Sequence, residues 1–222
     1  MTGGPVAEVP SGLNDDSSTR AQQRVRRDKA REASDGFCGA WVLHPALVPV
    51  ARAAFSMTSL GGPESMQRDR PTTTALVDPQ RLADTTSLVE APTLSGLRGN
   101  LRVSLRYLTA WFEGQASMVI DGQVEDFGTV ELARLQMWQW AHHQVRLAEG
   151  LTVSERLVDR LMNEEVSMLL RRQPAARERI ELAAQLLREA VGPGEPPAFI
   201  SSRAYAALMG EQVSPVAEQS AA

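Results

Sequence analysis

The chain has 222 residues, 43% of them apolar, and a formal net charge of -4. That length allows one domain or one and a half, and the acidic balance argues against a nucleic-acid partner held by bulk electrostatics. A single cysteine, Cys38, excludes an intrachain disulfide and a cysteine-based zinc site, and no apolar run approaches the roughly 18 residues of a membrane span.

The N-terminal stretch MTGGPVAEVPSGLNDDSST lacks the basic and apolar regions of a secretory signal. Its Gly, Pro, Ser and Asp content predicts a disordered leader over residues 1–18. Residues 19–34, TRAQQRVRRDKAREAS, are strongly charged, with Val25 the one large aliphatic. They read as a solvated helix or a helix tail, with an arginine patch for phosphate as the alternative. The basic residues are almost all arginine; Lys29 is the only lysine. After the break at Asp35-Gly36, the apolar run Ala40 to His44, stopped by Pro45, predicts a short buried strand. Leu47, Val50, Ala51, Ala54 and Phe55 then recur at helical steps. Helix, short strand and helix over 19–57 make one βα unit. Its lone strand leaves backbone N–H and C=O groups unsatisfied, so it should be irregular unless a partner strand exists.

Residues 58–92 read as a long surface loop with a short helical hint at Pro79 to Ala83. Leu97, Leu101, Leu105, Leu108 and Phe112 share one face of a helix over Leu94 to Phe112, which Gly114 ends. Arg98, Arg102 and Arg106 form a stripe on that helix, either solvated or paired with carboxylates, with an anion site as the alternative. The Asp121-Gly122 pair within SMVIDGQVED favours a β-hairpin, against which stands an extended loop. A helix over Thr129 to Ala148 follows, with Leu132, Leu135, Trp138, Ala141 and Val145 on one side. The next starts from a Thr152 or Ser154 cap, carries Leu157, Leu161 and Met168 beside Val158, Met162 and Leu169, and is broken at Pro174. Two more are expected, over Ala175 to Val191 and Ser202 to Met209. Residues 93–210 therefore read as a helical domain with short connections, and 211–222 as a disordered tail. The fold class is mainly α.

No Gly-rich phosphate loop and no nucleophile elbow is present. His142 and His143, adjacent on a helix, point about 100° apart and cannot chelate one metal from one face. His44 either faces a pocket or is a hydrogen-bonded structural histidine. Asp126 is the best candidate acid or base. On its turn before a helix it is either an N-cap that meets the helix dipole or a carboxylate held for proton transfer. Capping alone leaves Glu125 and the Trp138/Trp140 pair unexplained.

Three stretches, in order, resemble the malate synthases, notably the shorter A-type. GFCGAWVLHPALVPVA (Gly36 to Ala51) is similar to the end of that family's barrel, and LRGNLRVSLRYLTAWFEG (Leu97 to Gly114) to its next helix. VEDFGTVELARLQMWQWAHHQ (Val124 to Gln144) is similar to its C-terminal signature, in which a catalytic aspartate opens a helix. The similarity continues through LTVSERLVDRLMNEEV (Leu151 to Val166) and more faintly to Tyr205. The resemblance implies the last βα unit of a TIM barrel followed by a C-terminal helical domain. It implies an activity: acetyl-CoA, glyoxylate and water give malate and CoA in the glyoxylate cycle, with Mg²⁺. It also implies a role for Asp126, as the catalytic base that takes a proton from the acetyl methyl group, while an arginine stabilises the enolate. The family's glyoxylate-binding arginine and its Mg²⁺-ligating Glu and Asp belong to a barrel portion that the resemblance does not cover. No metal ligand or cofactor-binding residue is therefore assigned here, and the chain is expected to be a C-terminal fragment, inactive alone. Cys38 stands where the family usually has an aspartate. Phe127 and Gly128 replace two small alanines, and Phe127 raises the expectation of a blocked thioester channel or a tilted carboxylate. Acetyl-CoA and glyoxylate are the implied small-molecule partners, with a complementary barrel half or self-association completing the site. The alternatives are a non-catalytic helical interaction module and a truncated remnant. A cytoplasmic location fits the single cysteine.

Overall fold

The computed structural model describes residues 1–10, 16–58, 78–84 and 90–210. The chain divides into two units, one of residues 1–84 with 121–124, the other of 85–120 with 125–222. The expected loop over 58–92 lies largely outside the described residues, as does the expected tail over 211–222.

The first unit runs β1 (Thr2–Gly3), α1 (Asp16–Ser34), β2 (Gly39–Ala40), α2 (Val48–Thr58) and α3 (Pro79–Ala83). The two strands pair in parallel, Thr2 opposite Gly39 and Gly3 opposite Ala40. Flanking bonds extend the ladder: Cys38 N–H donates to Met1 O at 2.9 Å, and Trp41 N–H to Gly3 O at 3.0 Å. Two expectations are corrected here. Residues 1–10 are not a disordered leader, because β1 supplies the backbone partner that β2 needs. The strand expected at Ala40 to His44 is instead Gly39–Ala40, and Trp41 is 68% exposed rather than buried. The barrel remnant thus comprises two βα units rather than one. Parallel strands need a crossover of a dozen or more residues between them, and α1 is that crossover. Gly122 and Val124 belong to this unit through bonds to Val9 and Ala7.

The charged helix α1 also departs from the solvated reading. Ser18, Ala21, Val25, Lys29, Glu32 and Ala33 are buried, a stripe at three- and four-residue steps. Lys29 is fully buried; its Nζ donates to Gly4 O, and to Asp28 Oδ2 and Glu32 Oε1 at 2.9 Å each. The Glu32 carboxylate lies against Gly3, where an added Cβ would stand 1.9 Å from Oε2, so any larger residue there displaces the carboxylate. α2 packs on α1 and buries Ala51 and Ala54, with Leu47 buried in the 3₁₀ turn before it.

In the second unit α4 (Leu94–Trp111) is central. Its Leu97, Leu101, Leu105 and Leu108 are buried as the spacing predicts, and α5 (Phe127–His142), α6 (Glu155–Arg172) and α7 (Arg177–Val191) pack around it. α8 (Ile200–Leu208) closes the unit against α7 and α5. Ser154 caps α6 by accepting from Leu157 N–H at 3.3 Å. Between α4 and α5 the chain forms β3 (Met118–Ile120) and β4 (Gln123–Glu125), joined by Asp121 and Gly122 at φ 51° and 83°. Those are the two left-handed residues that a tight hairpin turn demands.

α5 starts earlier than expected and turns a different face inward. Val130, Ala133, Arg134 and Met137 are buried, while Leu132 is 68% exposed and Leu135 is also exposed. Its apolar residues are spread around the circumference, so no single stripe identifies the core side. Two members of the arginine stripe of α4 are carboxylate-paired: Arg98 bonds Glu164 and Glu165, and Arg102 Nε lies 3.7 Å from Glu165. The hydrogen bond to Glu164 leads the effects that push Arg98 further above its ordinary value, against partial burial.

Candidate active site

Asp126 is the N-cap of α5, with extended backbone at φ -139° and ψ -174°. Its Oδ1 accepts from Thr129 N–H at 3.2 Å, which satisfies one of the unpaired donors of the first turn. The residue is exposed, and its second oxygen has no hydrogen-bond partner among the described residues. Glu125 beside it is the opposite case. It is buried, and its Oε2 accepts from Thr129 Oγ1 at 2.7 Å. Thr129 therefore holds both neighbouring carboxylates, one through its amide and one through its hydroxyl.

Beneath the turn lies Tyr107 of α4, 1% exposed, whose hydroxyl donates to Ala116 O at 2.7 Å. Burial pushes this phenol up from its ordinary value, and the Asp126 charge pushes it further, while the Phe127 backbone N–H opposes them. The Phe127 ring meets Tyr107 edge-on at 5.4 Å and Trp111 at 5.0 Å. Phe127 thus packs into the core while Asp126 stays exposed. Gly128 leaves room beside the carboxylate; an added Cβ would stand 3.0 Å from Asp126 Oδ1.

The remaining candidates are structural in their contacts. His44 Nδ1 accepts from Ala46 N–H at 3.2 Å and caps the 3₁₀ turn at Pro45. His142 stacks on Trp138 at 4.7 Å and meets His143 edge-on at 5.0 Å. Trp138 Nε1 donates to Gly194 O at 2.7 Å, which accounts for one member of the tryptophan pair. Sequence reasoning missed Tyr107, whose partner Ala116 is brought to it only by the turn after α4. It also missed Arg134, which is 1% exposed. That guanidinium bonds Glu131, Pro197 O and Ala198 O at 2.7–2.9 Å.

Among the described residues no three of His, Cys, Asp and Glu come together as a metal site. Magnesium needs several oxygens in near-octahedral array, and the residues described do not fit it. No helix among them is long and apolar enough to cross a membrane.

The architecture defines a class before any comparison: barrel-type βα units, and a helical domain that presents a fixed, half-free carboxylate at a helix mouth. Residues 1–82 match the malate synthase TIM barrel domain, and residues 91–208 match the malate synthase C-terminal domain. The chain is 36% identical over 211 residues to the malate synthase of Streptomyces clavuligerus, covering 94% of this chain and 39% of that protein. It is 34% identical over 210 residues to the bifunctional glyoxylate cycle protein of Caenorhabditis elegans, covering 94% and 21%. With malate synthase A of Escherichia coli K12 it shares 29% over 209 residues, covering 93% and 38%. The chain belongs to the malate synthase family, and it spans about two fifths or less of the length of these relatives. The barrel match from residue 1 agrees with the pairing of β1 and β2.

Proposed function

We propose that this chain serves malate synthesis from acetyl-CoA and glyoxylate, and that Asp126 is the base. The observation that carries the reading is the half-free carboxylate: Oδ1 is tied to Thr129 N–H, and Oδ2 is open on an exposed residue. A thioester methyl group is a weak carbon acid, so its base must be ionised and held in reach of the C–H bond. An anion is well placed at a helix N-terminus, and a cap bond fixes its orientation without occupying both oxygens. Asp126 takes the methyl proton as the C–H electron pair moves into the enolate. The enolate carbon attacks the aldehyde carbon of glyoxylate, and water then cleaves the thioester to release CoA. The groups that bind glyoxylate come from a larger barrel, and none is assigned to the residues described.

The test combines this chain with a malate synthase barrel portion and follows glyoxylate-dependent release of CoA from acetyl-CoA. Release is expected from the wild-type chain, and a loss of roughly 10²-fold or more from Asp126→Asn. No release from two parts shown to associate overturns the enzymatic reading in favour of an interaction module. A reducing cytoplasmic location suits the lone Cys38.

A further inference from the structure

The geometry points to Tyr107 as the positioning residue for Asp126, acting by gripping the chain on both sides of the hairpin that delivers the carboxylate. This rests on the reading of Asp126 as the base. The hairpin has three residues in each strand, too few to hold its own shape in water. Its exit must be fixed from outside, or the carboxylate would sweep through a range of positions. Tyr107 adds to that fixing from the last turns of α4, where it is buried in the core of its unit. Its hydroxyl donates to Ala116 O at 2.7 Å, two residues before β3. Its ring packs edge-on against Phe127, two residues after β4 and next to Asp126. One side chain therefore spans entrance and exit.

The exit carries further restraints: Val124 N–H in β4 donates to Ala7 O at 2.8 Å, and Val9 N–H donates to Gly122 O at 3.0 Å. Thr129 Oγ1 donates to the buried Glu125 at 2.7 Å, and Thr129 N–H donates to Asp126 Oδ1 at 3.2 Å. Asp126 is thus bracketed by Glu125, fixed through Thr129, and by Phe127, fixed through Tyr107. An aromatic side chain at position 127 is what lets Tyr107 reach the residue after the base by ring contact. Gly128 leaves the restrained carboxylate its space. Tyr107 touches no reacting atom in this account. It sets where Oδ2 stands, and displacements near 1 Å are enough to cost roughly 10²-fold in rate.

Tyr107→Phe keeps the ring and removes the hydroxyl, with its bond to Ala116 O and its interaction with the Phe127 backbone N–H. In the chain as it stands, amide exchange at Phe127 and Thr129 should quicken by roughly tenfold or more, with Leu101 and Leu105 in α4 unchanged. Unchanged exchange at Phe127 and Thr129 overturns the proposal. A second measurement leaves Tyr107 in place and does not depend on the first variant folding. In Asp126→Asn, the Tyr107 phenol should titrate at lower pH than in the wild type. A Tyr107 titration that ignores this change overturns the proposal too. In the completed enzyme, Tyr107→Phe should lower kcat by roughly ten- to a hundredfold with KM for acetyl-CoA unchanged. A raised KM at unchanged kcat would instead make Tyr107 a substrate-binding group. Full activity in Asp126→Asn defeats the base assignment itself while leaving the exchange result standing.

Discussion

Among the described residues each unit buries one cation, Lys29 in the barrel-derived unit and Arg134 in the helical one. The two solve the same electrostatic problem with opposite surpluses. Lys29 meets one carbonyl and two carboxylates, and Glu32 Oε2 is left buried without a partner. Arg134 meets one carboxylate and two carbonyls, and Glu131 spends its second oxygen on Ser201 N–H at 3.1 Å. An ammonium is a compact point charge that tolerates an uneven ring of acceptors, whereas the guanidinium fork requires acceptors in fixed directions. The lysine site is thus acid-rich and open at one atom, and the arginine site is closed on every side. When the cation goes, Glu131 keeps its bond from Ser201 N–H, whereas Glu32 loses the Lys29 bond and already has a bare second oxygen.

Arg134→Ala should have the largest effect. It strips Glu131, Pro197 and Ala198 of their shared donor, at a cost of about 3–5 kcal/mol, read in urea unfolding of the helical unit and in faster exchange at Ser201. Lys29→Met should cost somewhat less, about 3 kcal/mol, because methionine refills the volume of the lysine stem whereas alanine at 134 also leaves a cavity. Adding Glu32→Gln to Lys29→Met should recover part of that loss, and the same logic applied through Glu131→Gln should rescue Arg134→Ala poorly. Equal rescue in the two units would erase the distinction drawn between them. Gly3→Ala comes next: its methyl would overlap the Glu32 carboxylate, and overpacking of this kind costs roughly 1–3 kcal/mol, visible in exchange at Trp41.

The smallest effect is alkaline. The folded Tyr107 phenol titrates above its unfolded value, so the unfolded chain ionises first as pH rises past about 10. The neutral phenol's contribution is whole below that pH and is lost as pH climbs through the folded value. The wild-type Tm should therefore drop more between pH 9 and about 11 than that of Tyr107→Phe. Parallel curves would show that Tyr107 is not held away from water as described.

How much of this was legible depends on how local the cause is. The leucines of α4, the Asp121-Gly122 turn and the Ser154 cap each act within a few residues, and the chain displays them directly. The position of Asp126 before a helix was equally plain. Strand β1 was not, since Thr2 and Gly3 carry no apolar alternation and their partners lie beyond a whole helix. The buried stripe of α1 was masked by its charges, among them the Lys29 ammonium that the fold encloses. On α5, Leu132 and Leu135 suggested a core face that the burial of Arg134 contradicts. No periodicity rule anticipates a buried arginine whose carbonyl partners arrive more than sixty residues later. Tyr107 was hidden for the same reason, as its value near Asp126 exists only once the hairpin has brought the chain back.

The contacts of Arg134 and Glu131 bear on what a protease would accomplish. The connection from Gly192 to Glu195 offers glycine-rich backbone to an enzyme, with Gly194 at φ 101°. A nick there severs the peptide but not the hold on Pro197, Ala198 and Ser201. The released piece, α8 included, would stay seated through size-exclusion chromatography and separate only in denaturant. Covalent continuity past Gly194 is therefore dispensable for keeping the last helix in place.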